Sequence, residues 1–388
     1  MAHSASSRSK IIENKPPSES AAIIADSEHL LTQMLIKLPP KPLLRFQCIS
    51  KSWLSIISDP AFRRRWATVR RNSGDVSVFF FSSRVKDIGV IFSLGSEGGV
   101  SPGVFNLNPL KDFMNDELDV SVHGCNGLWC IQRGKEFDRI SIVVCNPTTW
   151  QHREIPIPRG TRWPKLRYSN IAFDPQNSDH YKLVCWGIDQ MDFRFMVYSS
   201  ESAEWRVIKD HIGHTTWVDY NFENGIFWNG HLHFIGHVRL VGMSHICLDV
   251  ENEKIISNLT PIPDSCKPIF YFGEAGKDLC IVSLHNAELG TKFDVFALKR
   301  DHSMWAFKYR FDVAPLIATY PEIGTFEFFI SSFIVRGEKA MIMISLAGKL
   351  ISFDISNMMV DELIGFEGRL EDYRWKNVFQ HVESLALV

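Results

Sequence analysis

The sequence predicts an α+β multidomain protein, in which a small all-α unit precedes an all-β propeller of six blades, with five or seven as the alternatives. Leucines and aromatic residues recur at helical spacing between about residues 26 and 68. From about residue 72, short runs of β-branched and aromatic residues alternate with turn residues, as in strands joined by tight turns. We therefore divide the chain into a disordered lead over 1–25, a helical unit over 26–68 and a propeller over 72–388.

The first helix is predicted to run to Leu38 and to carry one broad apolar stripe, formed by Leu30, Leu31, Met34, Leu35 and Leu38. Asp26 or Ser27 is suited to cap its amino end. A proline cluster that begins at Pro39 removes backbone donors, so the helix should stop before it.

Two more short helices follow in the sequence. Pro42 to Phe46 fits a helix with proline in its first turn, where proline is tolerated. Ser50 can cap a third helix, which Asp59 and Pro60 should end. A helical unit of roughly 40 residues rarely supplies its own core and usually needs a metal, a disulfide or a partner. The apolar surface of this unit therefore predicts a partner.

These residues also match a family. The segment LLTQMLIKLPPKPLLRFQCISKSWLSIISDPAF resembles the F-box of plant F-box proteins, although Gln33 stands where that family often has glutamate. The resemblance implies docking on the Skp-type adaptor of an SCF ubiquitin ligase, and through it on cullin. It places the adaptor contact, with some internal packing among its members, at Leu30, Leu31, Leu35, Leu38, Pro39, Leu43, Leu44, Phe46, Cys48, Ile49, Ser50, Lys51 and Trp53. The alternative is a helical subdomain that packs only on the rest of the chain.

A repeating unit organises the rest of the chain. An apolar strand, a polar turn and a second strand recur, as in VVCNPTTWQHREIP and FMVYSSESAEWRVI. The same position of this unit recurs at Cys145, Tyr198, Leu248, Ala297 and Phe353. These residues are separated by steps of about 50 to 56 residues, a period that indicates blades of four strands each. One more blade upstream would be completed by the last strand, HVESLAL, so that the two ends of the domain close the ring.

This second region resembles the F-box-associated, kelch-like domain of plant F-box proteins. The resemblance rests on HGCNGLWCI, VVCNPTTWQHREIPIP, AFDPQNSDHYKLV, NGIFWNGHLHFI and the terminal HVESL, in this order behind the F-box-like segment. It implies that the domain captures the protein to be ubiquitinated.

Composition limits the partners and the compartment. A net charge of −2 offers no global attraction for nucleic acid or an anionic membrane, and no apolar run is long enough for a membrane helix. Of the eight cysteines none forms a Cys-x-x-Cys pair, and most lie in apolar strand-like runs, which suits buried reduced thiols. We expect no nucleic-acid or membrane partner, and a location in the cytoplasm, the nucleus or both.

No residue is assigned a catalytic role, and we expect no cofactor or metal. His231, His233 and His237 occur as HLHFIGH, and alternate strand positions share a face, so two imidazoles could meet a metal ion. The sequence nearby supplies no further ligand, so we expect His231 and His233 to face solvent or line a blade edge.

Substrate contacts are expected in two polar connections that contain tryptophan, over residues 159–170 and 211–224. Exposed aromatic and arginine side chains on propeller loops are typical anchors for a protein partner. The candidates are Trp163, Arg167, Tyr168, Trp217 and Tyr220, and the alternative is that these aromatic residues pack between blades.

The functional hypothesis is a noncatalytic substrate receptor of an SCF ubiquitin ligase that captures an unknown protein. The alternative is a propeller enzyme or a lectin-like module, whose helical block is only a docking tag. A glycan array and a metal analysis would separate these hypotheses.

Overall fold

The structure is a computed structural model, and it describes Ile24 and residues 27–73, 77–82, 88–94, 100–106, 120–134, 140–158, 165–189, 192–209, 217–220, 225–238, 242–285, 290–346, 349–365 and 375–388. The lead predicted over 1–25 lies outside these ranges, apart from Ile24. The chain divides into two compact units, with the boundary between Trp66 and Ala67. Within the described ranges, no helix has the length and apolar character that crossing a membrane requires.

Besides the helical residue Ile24, the described amino-terminal residues form four helices: α1 Glu28–Leu35, α2 Pro40–Phe46, α3 Lys51–Ser58 and α4 Pro60–Ser73. The Ser27 hydroxyl accepts a hydrogen bond from the Leu30 amide (3.4 Å), and the Ser50 hydroxyl accepts one from the Trp53 amide (3.2 Å). Helix α1 ends before Leu38, because the amide of Leu38 bonds the carbonyl of Leu35 and tightens the last turn.

Helix α4 is an element that the sequence analysis did not predict. Pro60 ends α3 as expected, but it also stands at the first position of α4, where its missing amide proton costs nothing. The Asp59 carboxylate accepts a hydrogen bond from the Ala61 amide (3.1 Å) and so satisfies one free donor of the new helix. The helix extends to Ser73 and contains five arginines, Arg63, Arg64, Arg65, Arg70 and Arg71.

The second unit is built from antiparallel strands. They are β1 Ser77–Ser82, β2 Ile88–Leu94, β3 Val100–Asn106, β4 Val120–Cys125, β5 Leu128–Arg133, β6 Ser141–Asn146, β7 Gln151–Ile155, β8 Lys165–Ala172, β9 Lys182–Asp189, β10 Asp192–Ser199, β11 Glu204–Val207, β12 Trp217–Tyr220, β13 Ile226–Trp228, β14 His231–Val238, β15 Gly242–Asp249, β16 Lys254–Pro261, β17 Ile269–Ala275, β18 Asp278–Leu284, β19 Lys292–Leu298, β20 Trp305–Asp312, β21 Phe329–Arg336, β22 Lys339–Leu346, β23 Lys349–Asp354, β24 Met359–Gly365 and β25 Trp375–His381. A short helix, α5 Ala314–Ile317, follows β20.

The described strands pair into six sheets, which we number along the chain. Sheet 1 has the order β25-β1-β2-β3, and sheet 2 contains β4 to β7. Sheet 3 contains β8 to β11, sheet 4 contains β12 to β16, sheet 5 contains β17 to β20, and sheet 6 contains β21 to β24. In sheet 4, β12 and β13 both pair with β14, at its far and near ends respectively, so two short strands share the first position.

The sequence repeat corresponds to a repeat in the structure. All five equivalent points chosen from the sequence lie in the third strand of a sheet: β6, β10, β15, β19 and β23. The turn after each of these strands contains one residue with positive φ, namely Trp150 (61°), Ala203 (55°), Glu253 (55°), His302 (58°) and Met358 (61°). These residues differ in type, so the backbone of the turn is repeated although its sequence is not.

Apolar clusters between neighbouring sheets form the core. They join sheets 2 and 3, 3 and 4, 4 and 5, 5 and 6, and 6 and 1, and the set that contains Trp129 and Phe379 joins sheets 1 and 2. This circuit closes on itself, which is the packing of a β-propeller, and it confirms the all-β propeller that the sequence predicts for this region.

The ring closes through β25, which pairs with β1 from Ser77 to Ser82. The predicted closing strand, HVESLAL, is wrong in its bounds: β25 ends at His381, and the residues after it form no strand. They pack on sheet 2 instead, where the buried Asn146 side chain donates to the carbonyls of Ser384 (3.0 Å) and Ala386 (2.9 Å).

A buried histidine connects three sheets of the second unit. Nδ1 of His123 in β4 accepts a hydrogen bond from the Ile171 amide in β8 (3.0 Å), so its Nε2 carries the proton and donates to the carbonyl of Gly225, just before β13 (2.5 Å). Burial lowers the pKa of His123 to about 4, because the charged ring would lose its hydration. The neutral ring therefore helps to hold sheets 2, 3 and 4 together.

Candidate interaction sites

The helical unit has a small core of its own. Its fully buried side chains are Leu31, Leu35, Leu43, Ile57 and Trp66. The indole Nε1 of Trp66 also donates a hydrogen bond to the Leu38 carbonyl (3.0 Å), which fixes the end of the α1 turn against α4. The unit thus buries one face of each helix.

Other apolar side chains of this unit remain in water. Leu30 and Met34 of α1 are 43% and 47% exposed, Ile49 after α2 is 57% exposed, and Leu54 of α3 is 46% exposed. We call these four residues the exposed apolar set. Leu30 and Met34 are four residues apart and share one helix face. Exposed apolar side chains that adjoin one another often mark an interaction site, so the Leu30 and Met34 pair leads us to take this set as the candidate docking surface.

The propeller has a second candidate site, a cavity of about 470 Å³ whose lining residues all belong to the second unit. It lies where the first strands turn into the second strands, since Asn126, Lys277 and Gly337 of those turns line it. The segment after β25 and the end of α4 complete the wall. Its basic side chains are Arg70, Arg71, Lys277 and Arg336, and its acidic ones are Glu274 and Glu383.

One ion pair in the cavity is partly withdrawn from solvent. The Arg71 guanidinium donates a hydrogen bond to the Glu274 carboxylate (3.0 Å). Burial raises the pKa of Glu274, and the Arg71 guanidinium opposes that change. The Gln380 amide donates to the backbone carbonyls of Glu274 (2.8 Å) and Phe333 (2.9 Å), so β25 is joined to β17 and β21 around the same wall. The cavity is therefore a recess with a held wall, in which basic side chains outnumber acidic ones.

A comparison with known families settles what kind of propeller this is. Residues 88–385 match the family described as the F-box associated beta propeller domain. The chain belongs to this family. The resemblance noted for the second region of the sequence is thereby confirmed at family level, while its kelch-like type stays a prediction.

Relatives of this F-box associated propeller protein are described as F-box proteins. F-box protein At5g07610 of Arabidopsis thaliana is 26% identical over 414 residues, covering 96% of this chain and 94% of the relative. F-box protein At5g49610 of Arabidopsis thaliana is 26% identical over 242 residues, covering 58% of this chain and 62% of the relative. The first match extends over nearly the whole length of both chains, including the helical unit.

The residues predicted to bind the adaptor fall into three groups. Leu31, Leu35 and Leu43 are fully buried, so they provide the internal packing that was expected of some members. Leu38, Leu44, Phe46 and Trp53 are half-buried, and the rings of the last two meet edge to face at 5.2 Å. The exposed members are Leu30, Pro39, Cys48, Ile49, Ser50 and Lys51. Sequence reasoning did not assign Met34 and Leu54 to the contact, although their helical spacing was visible.

The residues predicted to bind substrate are placed less completely. Trp163 lies outside the described residues. Arg167 lies in β8, and Trp217 and Tyr220 are the ends of β12; the structure describes only the backbone at these three positions. Tyr168 is half-buried with its ring 5.7 Å from that of Trp186, in the cluster between sheets 3 and 4. Tyr168 therefore packs between sheets, which was the alternative assignment, and the cavity residues were not foreseen.

The histidines of β14 differ from expectation. His233 is fully buried, so the prediction that it faces solvent or a blade edge is wrong, and the expectation that no further ligand lies nearby is wrong as well. Burial lowers the pKa of His233 and His302 and brings that of His245 to about 3, so these rings are neutral at pH 7. Burial also raises the pKa of the Cys247 thiol to about 12.

Proposed function

We propose that this chain is the substrate-recognition subunit of an SCF-type E3 ubiquitin ligase. In this proposal the helical unit is an F-box that docks on a Skp-type adaptor, and through it on cullin, while the propeller captures a protein for ubiquitination. The family and its F-box protein relatives support this role at family level. The observation that carries the proposal is the exposed apolar set on a small helical unit in front of a propeller of this family.

The energetics favour docking through that set. Fully burying a large apolar side chain is worth about 1.5–3 kcal/mol, so covering four that are each about half exposed yields roughly 1 kcal/mol apiece. The fully buried leucines keep the fold of the unit, whereas the exposed ones add little to it. The unit can therefore offer apolar surface to an adaptor without unfolding.

The propeller would act by proximity rather than by chemistry. A receptor that holds a protein next to a ubiquitin-charged enzyme turns a second-order encounter into a nearly intramolecular one. The basic cavity is our candidate for the capture surface, because it is concave and carries four cationic side chains against two acidic ones. An acidic segment of the captured protein would fit this bias.

We also propose that the propeller has six blades. Each of the six described sheets would be one blade, and the apolar clusters between successive sheets, together with the pairing of β25 and β1, support a closed ring of that number. The kelch-like type predicted from the sequence belongs to the same proposal.

The test is complex formation with a purified Skp-type adaptor. Size-exclusion chromatography with light scattering should give a one-to-one complex for the full chain, and none for a chain that lacks residues 27–66. A full chain that stays monomeric beside the adaptor at micromolar concentrations, while its circular dichroism shows a folded protein, would contradict the proposal.

The captured protein can be sought with the same pair of chains. Proximity labelling under proteasome inhibition would compare the full chain with the chain that lacks residues 27–66. Proteins labelled by both chains under the inhibitor, but stabilised without it only when the truncated chain is present, would be the substrates. Charge-reversing Arg71→Glu with Lys277→Glu should reduce their labelling, and unchanged labelling would remove the cavity as the capture surface.

A further inference from the structure

Four potential metal ligands meet between sheets 4 and 5. They are His231 and His233 of β14, Cys247 of β15 and His302 of the turn between β19 and β20. One ligand atom from each residue can be chosen so that all four lie within 4.8 Å of one another. Three of these residues are buried, and His231 is half-buried.

The fold explains why these residues converge. His231 and His233 are two positions apart on one strand, so their side chains share a face. Cys247 pairs directly with His233 in the β14–β15 register and therefore points to the same face. His302 is the positive-φ residue of its turn in sheet 5, and its ring centroid lies 5.0 Å from that of His231 and 5.2 Å from that of His233.

One distance is close to that of a tetrahedral site, and the others lie within reach of it. Sγ of Cys247 lies 3.8 Å from Nδ1 of His302. Bond lengths of about 2.3 Å to sulfur and about 2.0 Å to nitrogen imply a spacing of about 3.5 Å between these atoms around tetrahedral zinc. Across the whole cluster, the 4.8 Å limit leaves movements of about 1 Å or less per side chain to reach zinc distances.

The hydrogen bonds leave imidazole lone pairs that can bind a cation. Nδ1 of His231 is buried and makes no hydrogen bond, and buried polar atoms of this kind normally have a partner. Nε2 of His233 faces the Trp228 carbonyl at 3.1 Å, which can only accept, so Nδ1 of His233 keeps its lone pair. A histidine whose other nitrogen donates to a backbone carbonyl is the usual arrangement in metal sites.

Nδ1 of His233 has one competitor for that lone pair. Nε2 of His245 lies 2.9 Å away and donates its proton to it when no cation is bound. Coordination through this atom exchanges one hydrogen bond for a metal bond. Binding also releases the thiol proton of Cys247 to solvent, since thiolate is the ligand form of cysteine.

We propose that His231, His233, Cys247 and His302 form a structural Zn²⁺ site that clips sheet 4 to sheet 5. Three imidazoles and one thiolate in a mostly buried cluster suit Zn²⁺, which takes nitrogen and sulfur ligands in tetrahedral geometry. This site is independent of adaptor docking, because its residues all lie in the propeller.

The first experiment uses the full wild-type chain. It is stripped with a chelator, dialysed and titrated with Zn²⁺ alone and then with Co²⁺ alone. We expect one Zn²⁺ per chain by mass spectrometry of the metals, a rise in the melting temperature, and a sulfur-to-cobalt charge-transfer band in the near ultraviolet. Less than about a tenth of an equivalent of Zn²⁺, with no cobalt band, would overturn the proposal and leave a hydrogen-bonded histidine cluster.

Variants then test the ligands one at a time. Cys247→Ala should abolish the charge-transfer band, and Cys185→Ala, which removes another fully buried strand cysteine, should leave it intact. His302→Asn should weaken Zn²⁺ binding at least tenfold, and asparagine tolerates the positive φ of that turn. Met358→Asn, at the equivalent turn of sheet 6, is its control and should bind Zn²⁺ as the wild type does. Equal binding by all four variants would place the ion elsewhere.

Discussion

The exposed apolar set gives a prediction that can be worked out from the structure. The perturbation is Leu30→Ala together with Ile49→Ala. The two side chains are 43% and 57% exposed in the chain, and docking would cover those fractions. At about 1.5–3 kcal/mol for a fully buried large apolar side chain, the pair loses about 2 kcal/mol of docking free energy. That corresponds to a Kd about 30-fold weaker.

The assay is isothermal titration of a purified Skp-type adaptor into the full chain. Because both side chains are largely in water already, the melting temperature of the free variant should stay within about 2 °C of wild type. Ile256→Ala is the matched control, since Ile256 in β16 is 45% exposed but lies on the propeller. A double variant that is folded and binds the adaptor with wild-type affinity would refute the reasoning.

Leu35 is not a suitable position for this test, although the sequence placed it in the contact. It is fully buried, so truncating it leaves a cavity that costs about 2–5 kcal/mol of folding free energy. A loss of adaptor binding would then report unfolding of the helical unit. The structure therefore moves the test from the buried to the exposed side of α1.

Three further predictions concern the propeller. The pKa of His123 is about 4 in the folded chain, against 6.5 for an ordinary histidine. Between these pH values the folded state binds fewer protons than the unfolded state. The free energy of unfolding should therefore fall by about 3 kcal/mol as the pH falls from 6.5 to 4. Urea unfolding against pH should show this slope, and His123→Gln should flatten it. Gly124→Ala should destabilise the ring closure by about 1–3 kcal/mol in the same assay, because its new methyl group would overlap the Phe379 ring. Asn146→Ala should leave the Ser384 carbonyl without its donor and speed proteolysis of the last residues, and unchanged cleavage would show that the tether contributes nothing.

Much of the fold was predictable because it depends on local patterns. Helical spacing, Ser27 and Ser50 as caps, and the proline cluster located three helices within a few residues. The repeat points from Cys145 to Phe353 all lie in third strands, because each blade repeats the same strand and turn lengths. Helix α4 was missed because Pro60 was taken only as the end of one helix, whereas it also opens the next.

The sites were less predictable because they depend on contacts between distant parts of the chain. His302 lies more than 50 residues from Cys247, and only the packing of sheet 5 on sheet 4 brings them together. The cavity is likewise assembled from turns spread between Asn126 and Ser384. The sequence could not show whether Tyr168 is exposed to a partner or packed between sheets. The alternation of residues along a strand separates its two faces, but it does not tell which face meets the neighbouring blade.

The central claim is that a second polypeptide covers the exposed apolar set. Hydroxyl-radical footprinting of the full chain, with and without a Skp-type adaptor, measures this directly because it reports side-chain exposure. Oxidation of Met34 (47% exposed) should slow several-fold in the complex, while Met304 (48%) and Met359 (61%) on the propeller should react at unchanged rates. Unchanged oxidation of Met34 at saturating adaptor, or protection confined to the propeller methionines, would contradict the account.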